Sequence, residues 1–209
     1  MLHQETVERS TLELLVQLQG KDYLQGFYLV GGTALSLLIG HRKSIDLDLF
    51  SNFSFDAEDL LEKLSSDFGY HLYFSANNTL KGRIGTVEVD IIAHRYPLIR
   101  EPLKYERIGM LSIEDIAAMK LNAIAVSGQR SKDFVDIFYL LEKYSIAEMI
   151  GFYKTKYSQY NEVNVLKSIT WFEDVDLADW PVMIKSPVPD WETIKKRIVK
   201  ATKDYLHKN

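Results

Sequence analysis

The chain has 209 residues, 46% of them hydrophobic and 26% charged, a composition that buries a core and excludes disorder as the main state. It contains no cysteine, which excludes disulfide scaffolds, Cys-ligated zinc and Cys nucleophiles. With 25 Lys+Arg against 29 Asp+Glu the net charge is −4, so the chain as a whole does not read as a basic nucleic-acid binder.

Residues 5–19 predict an amphipathic helix with Val7, Leu12, Leu14, Leu15 and Leu18 as its stripe and Gly20 as its stop. An apolar run at 27–30 ends at Gly31-Gly32, and 33–39 predicts a short buried helix closed by Gly40. Residues 45–50 alternate apolar and acidic, the period of a strand, and would turn Ile45, Leu47 and Leu49 into the core. Residues 56–68 return to helical spacing. Strands are predicted at 70–75 and 83–94, joined by a polar stretch containing Asn77-Asn78 that suits a hairpin.

Pro97 and Pro102 mark a loop, after which helices are predicted at 112–126, 132–143, 146–157 and 161–172. Ser112 and Asp115 have the spacing of a capping box. A loop with Pro181, Pro187 and Pro189 leads to a closing helix at 191–206. Strands first and helices afterwards indicate α+β: a small mixed β-sheet flanked by helices, followed by a helical C-terminal half. The longest apolar run, 35–39, is far short of the roughly 18 residues of a membrane span. The opening MLHQETVERS lacks the apolar stretch of a secretory leader. The expectation is a cytoplasmic protein with no membrane association.

The most informative segment is the strand into Gly31, Gly32 and Thr33. Glycines let backbone N–H groups approach a ligand, and a helix N-terminus favours an anion; the bland reading is a tight turn that binds nothing. Asp46 and Asp48 stand two apart on a strand and so share a face. Two such carboxylates repel unless a hard divalent cation lies between them, or unless the face is merely solvated. In 87–92 the alternation puts Glu88 and Asp90 opposite Val87, Val89 and Ile91, and Asp90 sits where a lone acid is costly. Three carboxylates beside a glycine turn suggest two-metal phosphoryl chemistry.

These segments, Gly-Gly-Thr-Ala-Leu and then Gly-His-Arg-Lys-Ser-Ile-Asp-Leu-Asp-Leu-Phe at 40–50, resemble the AbiEii/AbiGii group of nucleotidyltransferase-like toxins. That group belongs to the DNA polymerase beta-like nucleotidyltransferase superfamily. The resemblance continues through 112–124 and 131–137, and spans roughly 25–145. It implies a nucleotidyltransferase-like α/β core over 1–108, with a helical region over 109–209 packed on it. It further implies a nucleoside triphosphate held at Gly31, Gly32 and Thr33, with Mg²⁺ (or Mn²⁺) on Asp46 and Asp48. Asp90 would take the third carboxylate role and activate the attacking hydroxyl. The implied activity is Mg-dependent transfer of an NMP to an RNA (a tRNA end or another RNA) or protein hydroxyl. The implied setting is the toxin of a toxin–antitoxin or phage-defence pair, with an antitoxin protein as partner. The rival is a non-catalytic module on the same fold that binds a nucleotide or a partner; it has little need of Asp90.

Lys120 lies on the apolar stripe formed by Ile113, Ile116, Ala117, Leu121 and Ile124. It is expected to snorkel, to pair with an acid, or to meet an anion, and the resemblance favours a catalytic contact with the triphosphate. Lys132 and Asp136 are i,i+4 and could simply pair, while Asp133 could complement a helix N-terminus; the resemblance places all three at the nucleotide site. Arg42 and Lys43 could bind phosphate or neutralise the acids. His41 and His94 are weaker candidates for proton transfer. Arg95, Arg100, Lys104 and Arg107, interleaved with Tyr96 and Tyr105, and the lysines of the last helix could touch an RNA backbone.

Overall fold

The computed structural model describes residues 1–158 and 161–207, and the chain divides into two units, Met1–Ser112 and Ile113–Asn209. Unit 1 contains, in order, α1 (Arg9–Gln19), β1 (Tyr28–Val30), α2 (Gly31–Ile39), β2 (Leu47–Ser51), α3 (Ala57–Phe68), β3 (His71–Ala76), β4 (Thr79–Ile84), β5 (Val87–Ala93), β6 (Leu103–Tyr105) and β7 (Ile108–Met110). The strands form one sheet of order β3-β4-β5-β2-β1-β7-β6. β2 runs parallel to β5 and β1 parallel to β7; the other neighbours are antiparallel. This is the mixed α+β sheet expected from the sequence.

Alternation decides what each strand presents. Leu47 and Leu49 on β2, Leu80 on β4, and Val89 and Ile91 on β5 are fully buried. Asp48, Phe50, Asp90 and Ile92 fall on the opposite face and stay partly exposed. α3 covers β3 and β4. It starts at Asp56, whose carboxylate accepts the N–H groups of Glu58 and Asp59 at 2.9 and 3.2 Å. It ends at Gly69 in the left-handed region, φ +63°.

Several expectations are corrected. The first helix starts at Arg9, because Val7 is extended and the preceding residues bond elsewhere: His3 N–H donates to Leu37 and Ser44 N–H to Thr6. Ile45 is 60% exposed and precedes β2, so the core side of that strand begins at Leu47. The single strand expected at 83–94 is two, β4 and β5, because Gly85 turns the chain at φ +59°. The hairpin of β6 and β7 falls in a stretch read as loop. Its turn needs φ +54° at Glu106, a residue that carries no turn signal. β7 is part of the sheet, and unit 1 ends at Ser112.

Unit 2 contains α4 (Ile113–Val126), α5 (Ser131–Leu140), α6 (Ile146–Lys156), α7 (Glu162–Ile169) and α8 (Trp191–Leu206). α4 packs against α5, α6 and α7, and α8 against α5 and α6. Phe134, Phe172 and Trp191 meet edge-on or tilted with centroids 5.5–5.7 Å apart, the arrangement the ring quadrupoles prefer. A capping box is formed by Ser145 and Glu148 at the start of α6; Asp115 on α4 receives the ammonium of Lys156 at 2.7 Å, with both side chains almost wholly buried. No helix among the described residues is long and apolar enough to cross a membrane.

Removing one member of a buried pair strands a charge, at a cost of about 3–5 kcal/mol. Lys156→Met should therefore lower unfolding stability by that order in denaturant titration, and adding Asp115→Leu should recover much of the loss. Equal stabilities for the wild type and Lys156→Met would show that the pair contributes nothing.

Candidate active site

β1 passes into α2 without a linker, so the chain must reverse within the first helical residues. Val30 is extended and Gly31 takes φ +69°, a conformation strained for any side chain. A Cβ on Gly31 would also collide with Oδ2 of Asp48, and one on Gly32 with Nη2 of Arg42. The two glycines thus admit a carboxylate and a guanidinium to the helix N-terminus. Val30 has no side-chain acceptor for the first-turn N–H groups.

Thr33 is 1% exposed. Its hydroxyl donates to the Asp46 carbonyl at 2.5 Å and lies 2.8 Å from Ser44 Oγ. The hydroxyl read as a phosphate donor therefore ties α2 to the segment entering β2. Asp46 lies just before β2, its carbonyl anchored and its side chain half-buried. Arg42 is buried, its Nη1 donating to the Lys43 carbonyl at 3.0 Å.

Asp48 and Asp90 are direct register partners on the parallel strands β2 and β5, and neighbouring strands lie about 4.8 Å apart. Lys81, the β4 partner of Asp90, places Nζ 3.0 Å from Asp90 Oδ2. Beneath them Tyr70 donates its hydroxyl to the Val89 carbonyl at 2.9 Å. Burial, then the charges of Asp90 and Glu88, push the Tyr70 phenol well above its ordinary range.

Two carboxylates at facing register positions are hard oxygen donors, and Mg²⁺ is commonly held by one or two carboxylates with substrate phosphates completing the shell. The Asp48–Asp90 pair fits that donor set. Among the described residues no group of three or more His, Asp or Glu side chains is arranged to hold a metal.

In unit 2, Lys120 lies between Asp133 Oδ1 and Asp136 Oδ2, each 2.7 Å away, and all three side chains are buried. This is the acid-paired option among the readings of its apolar stripe. Lys132 pairs with Asp179 at 2.7 Å, since Asp136 at i+4 is turned inward. On α8, Lys195 pairs with Glu192 and Arg197 lies over the Phe138 ring, while Lys196, Lys200 and Lys203 are exposed. His41 is fully buried.

Two contributors were missed from the sequence. Lys81 was hidden in a stretch read as a polar hairpin; its signal was the inward pair Leu80 and Gly82 on either side. Ser44 carries no signal, as its role depends on Thr33 reaching across.

Residues 13–208 match the family described as nucleotidyl transferase AbiEii toxin, type IV TA system. An uncharacterised protein of Aquifex aeolicus, aq_aa25, is 30% identical over 205 residues, covering 95% of this chain and 96% of its own length. A candidate nucleotidyltransferase of Helicobacter pylori superposes with TM-score 0.59 at 19% identity over 96% of each chain. The Mycobacterium tuberculosis nucleotidyltransferase toxin MenT4 superposes with TM-score 0.56 at 16% identity, over 93% of this chain and 84% of its own.

Because the Tyr70 phenol is raised in the folded state, its contribution is intact below the ordinary phenol value of about 10 and is lost as pH climbs through the folded value. Tyr70→Phe should flatten the alkaline fall in stability above about pH 10; an unchanged pH–stability curve would remove Tyr70 as its source. Lys120→Met leaves two buried carboxylates without their cation and should cost about 3–5 kcal/mol in thermal or denaturant unfolding. A variant as stable as the wild type would refute the structural role.

Proposed function

The chain belongs to the AbiEii nucleotidyltransferase toxin family, and from this we propose that unit 1 transfers an NMP from a nucleoside triphosphate to an acceptor hydroxyl. The observation that carries the proposal is the register pairing of Asp48 with Asp90 beside the Gly31-Gly32 turn. The toxin would act within a toxin–antitoxin pair, in the cytoplasm, on an RNA or protein hydroxyl.

The backbone N–H groups of Gly31, Gly32 and Thr33 would receive the β- and γ-phosphates at the N-terminus of α2. The Arg42 guanidinium, lodged where a Cβ on Gly32 would be, would balance their charge. Asp48 and Asp90 would hold Mg²⁺ or Mn²⁺, with Asp46 brought in as a further ligand. Bound there, the cation would neutralise the phosphates and stabilise charge on the attacking and leaving oxygens.

Asp90 would accept the proton of the attacking hydroxyl. The hydroxyl oxygen forms a bond to the α-phosphorus, the bond from that phosphorus to the bridging oxygen breaks, and pyrophosphate leaves with the electron pair. Lys120, Asp133 and Asp136 form a preset charge cluster within unit 2, and they and Lys132 are the further residues that the family resemblance associates with the nucleotide.

Calorimetry with non-hydrolysable NTP analogues and a transfer assay with labelled NTP test the reading. Tight binding should need Mg²⁺ or Mn²⁺, and Asp48→Asn or Asp90→Asn should cut transfer on the order of 10²-fold or more. Equal NTP affinity in excess chelator would refute a metal-bridged site. Metal-dependent binding without any turnover would instead favour the non-catalytic module.

A further inference from the structure

A row of facing residues crosses the sheet at the level of the glycine turn. Asp48 on β2 pairs in register with Val30 on β1 and with Asp90 on β5. Asp90 pairs in turn with Lys81 on β4, and Lys81 with Phe74 on β3. Direct partners on neighbouring strands share a face, so from the turn outward the open face reads acid, acid, ammonium, ring. Lys81 Nζ lies 3.0 Å from Asp90 Oδ2, and the two side chains are 47% and 25% exposed.

An opposite-charge pair across antiparallel strands supports a sheet wherever it stands. Arg83 with Glu88, two residues along the same strands, is a pair of that kind, and the Tyr73 hydroxyl donates to Glu88 at 3.2 Å. Lys81 differs in what its acid faces on the far side. Asp90 has a second carboxylate, Asp48, as its β2 partner, whereas the β2–β5 ladder begins at Leu47 and Val89, one residue short of Glu88. Lys81 therefore balances two like charges, and Arg83 balances one acid outside that ladder.

We propose that Lys81 is a resident counter-cation of the Asp48–Asp90 pair, which competes with a divalent cation for Asp90 and so favours entry of that cation with the nucleotide's phosphates over its entry alone. The proposal rests on the metal site of the transfer reading and adds the residue that regulates its loading. Two carboxylates and an ammonium leave the row with a single net negative charge. A lone divalent ion would turn the row positive beside Nζ, while one accompanied by a triphosphate leaves it negative. The half-exposed lysine keeps a flexible stem on which the ammonium can move toward solvent or phosphate. Water and salt attenuate charges this exposed, so the competition is several-fold in affinity.

The test titrates the full chain, freed of metal with chelator and dialysed at low salt, with Mn²⁺ alone by calorimetry. Lys81→Arg should bind as the wild type does, and Lys81→Met should bind about five-fold more tightly. Lys81→Glu should bind more tightly still, and Arg83→Met should match the wild type. The rise in melting temperature at a fixed Mn²⁺ concentration should follow the same order, since a ligand of the folded state stabilises according to its affinity. With a non-hydrolysable NTP analogue present, the gap between the wild type and Lys81→Met should shrink or reverse.

Equal Mn²⁺ affinity across the Lys81 series overturns the proposal and leaves Lys81 a sheet contact. The same gain in Arg83→Met overturns it as well, because any cation on the face would then have the effect. Absence of Mn²⁺ binding in every variant, with and without the analogue, refutes the metal-bridged site itself and this proposal with it. A site that binds Mn²⁺ with the analogue but shows a flat Lys81 series refutes only the role of Lys81.

Discussion

Two carboxylates held side by side on parallel strands govern the architecture of unit 1. Like charges facing each other across a strand pair are destabilising, and Asp48 and Asp90 occupy facing positions of β2 and β5. The surroundings make this tolerable. Both acids stay partly exposed, Lys81 sets an ammonium against Asp90, and Gly31 gives up a side chain so that Asp48 has room at the turn. The parallel pairing matters as well. A hairpin would join β2 and β5 directly; a parallel pair needs a crossover, and α3, β3 and β4 provide it. That crossover brings Tyr70 beneath the acids and Lys81 beside them.

Unit 2 handles charge differently. Lys156 with Asp115, and Lys120 with Asp133 and Asp136, are buried among apolar helices. Such groups repay their desolvation only with close partners, and they are weak sources of net stability. Their effect is on register. Lys120 reaches two acids one helical turn apart on α5, so α4 and α5 can slide little without stranding a charge.

Much of this is legible in the amino-acid sequence alone. The alternation in β2 and β5 placed Asp48 and Asp90 on a polar face, and the strand into Gly31-Gly32 located the turn. Sequence could not tell what the glycines make room for, because Asp48 lies 17 positions beyond Gly31 and Arg42 lies 10 beyond Gly32. Ile45 illustrates the limit of periodicity: it continues the apolar alternation, yet the chain joins the ladder only at Leu47. β6 and β7 were missed because three-residue strands hold too little pattern, and the turn at Glu106 lacks Gly or Asn. The spacing puts Lys120 on an apolar stripe, but its contacts with Asp133 and Asp136 are visible only with α5 beside α4.

The two lysines nearest to carboxylates of interest differ in what they permit. Lys81 keeps about half of its side chain in water, 47%, and an exposed pair of this kind is worth roughly 0–1 kcal/mol. Its four-carbon stem lets the ammonium swing away into solvent, so Asp90 can be uncovered at small cost. Lys120 has 7% of its side chain exposed and two acids to abandon; releasing it would strand buried charge on both helices. A mobile cation beside Asp90 and an immobile one between Asp133 and Asp136 therefore serve opposite ends. The first leaves Asp90 easily uncovered, and the second ties α4 to α5.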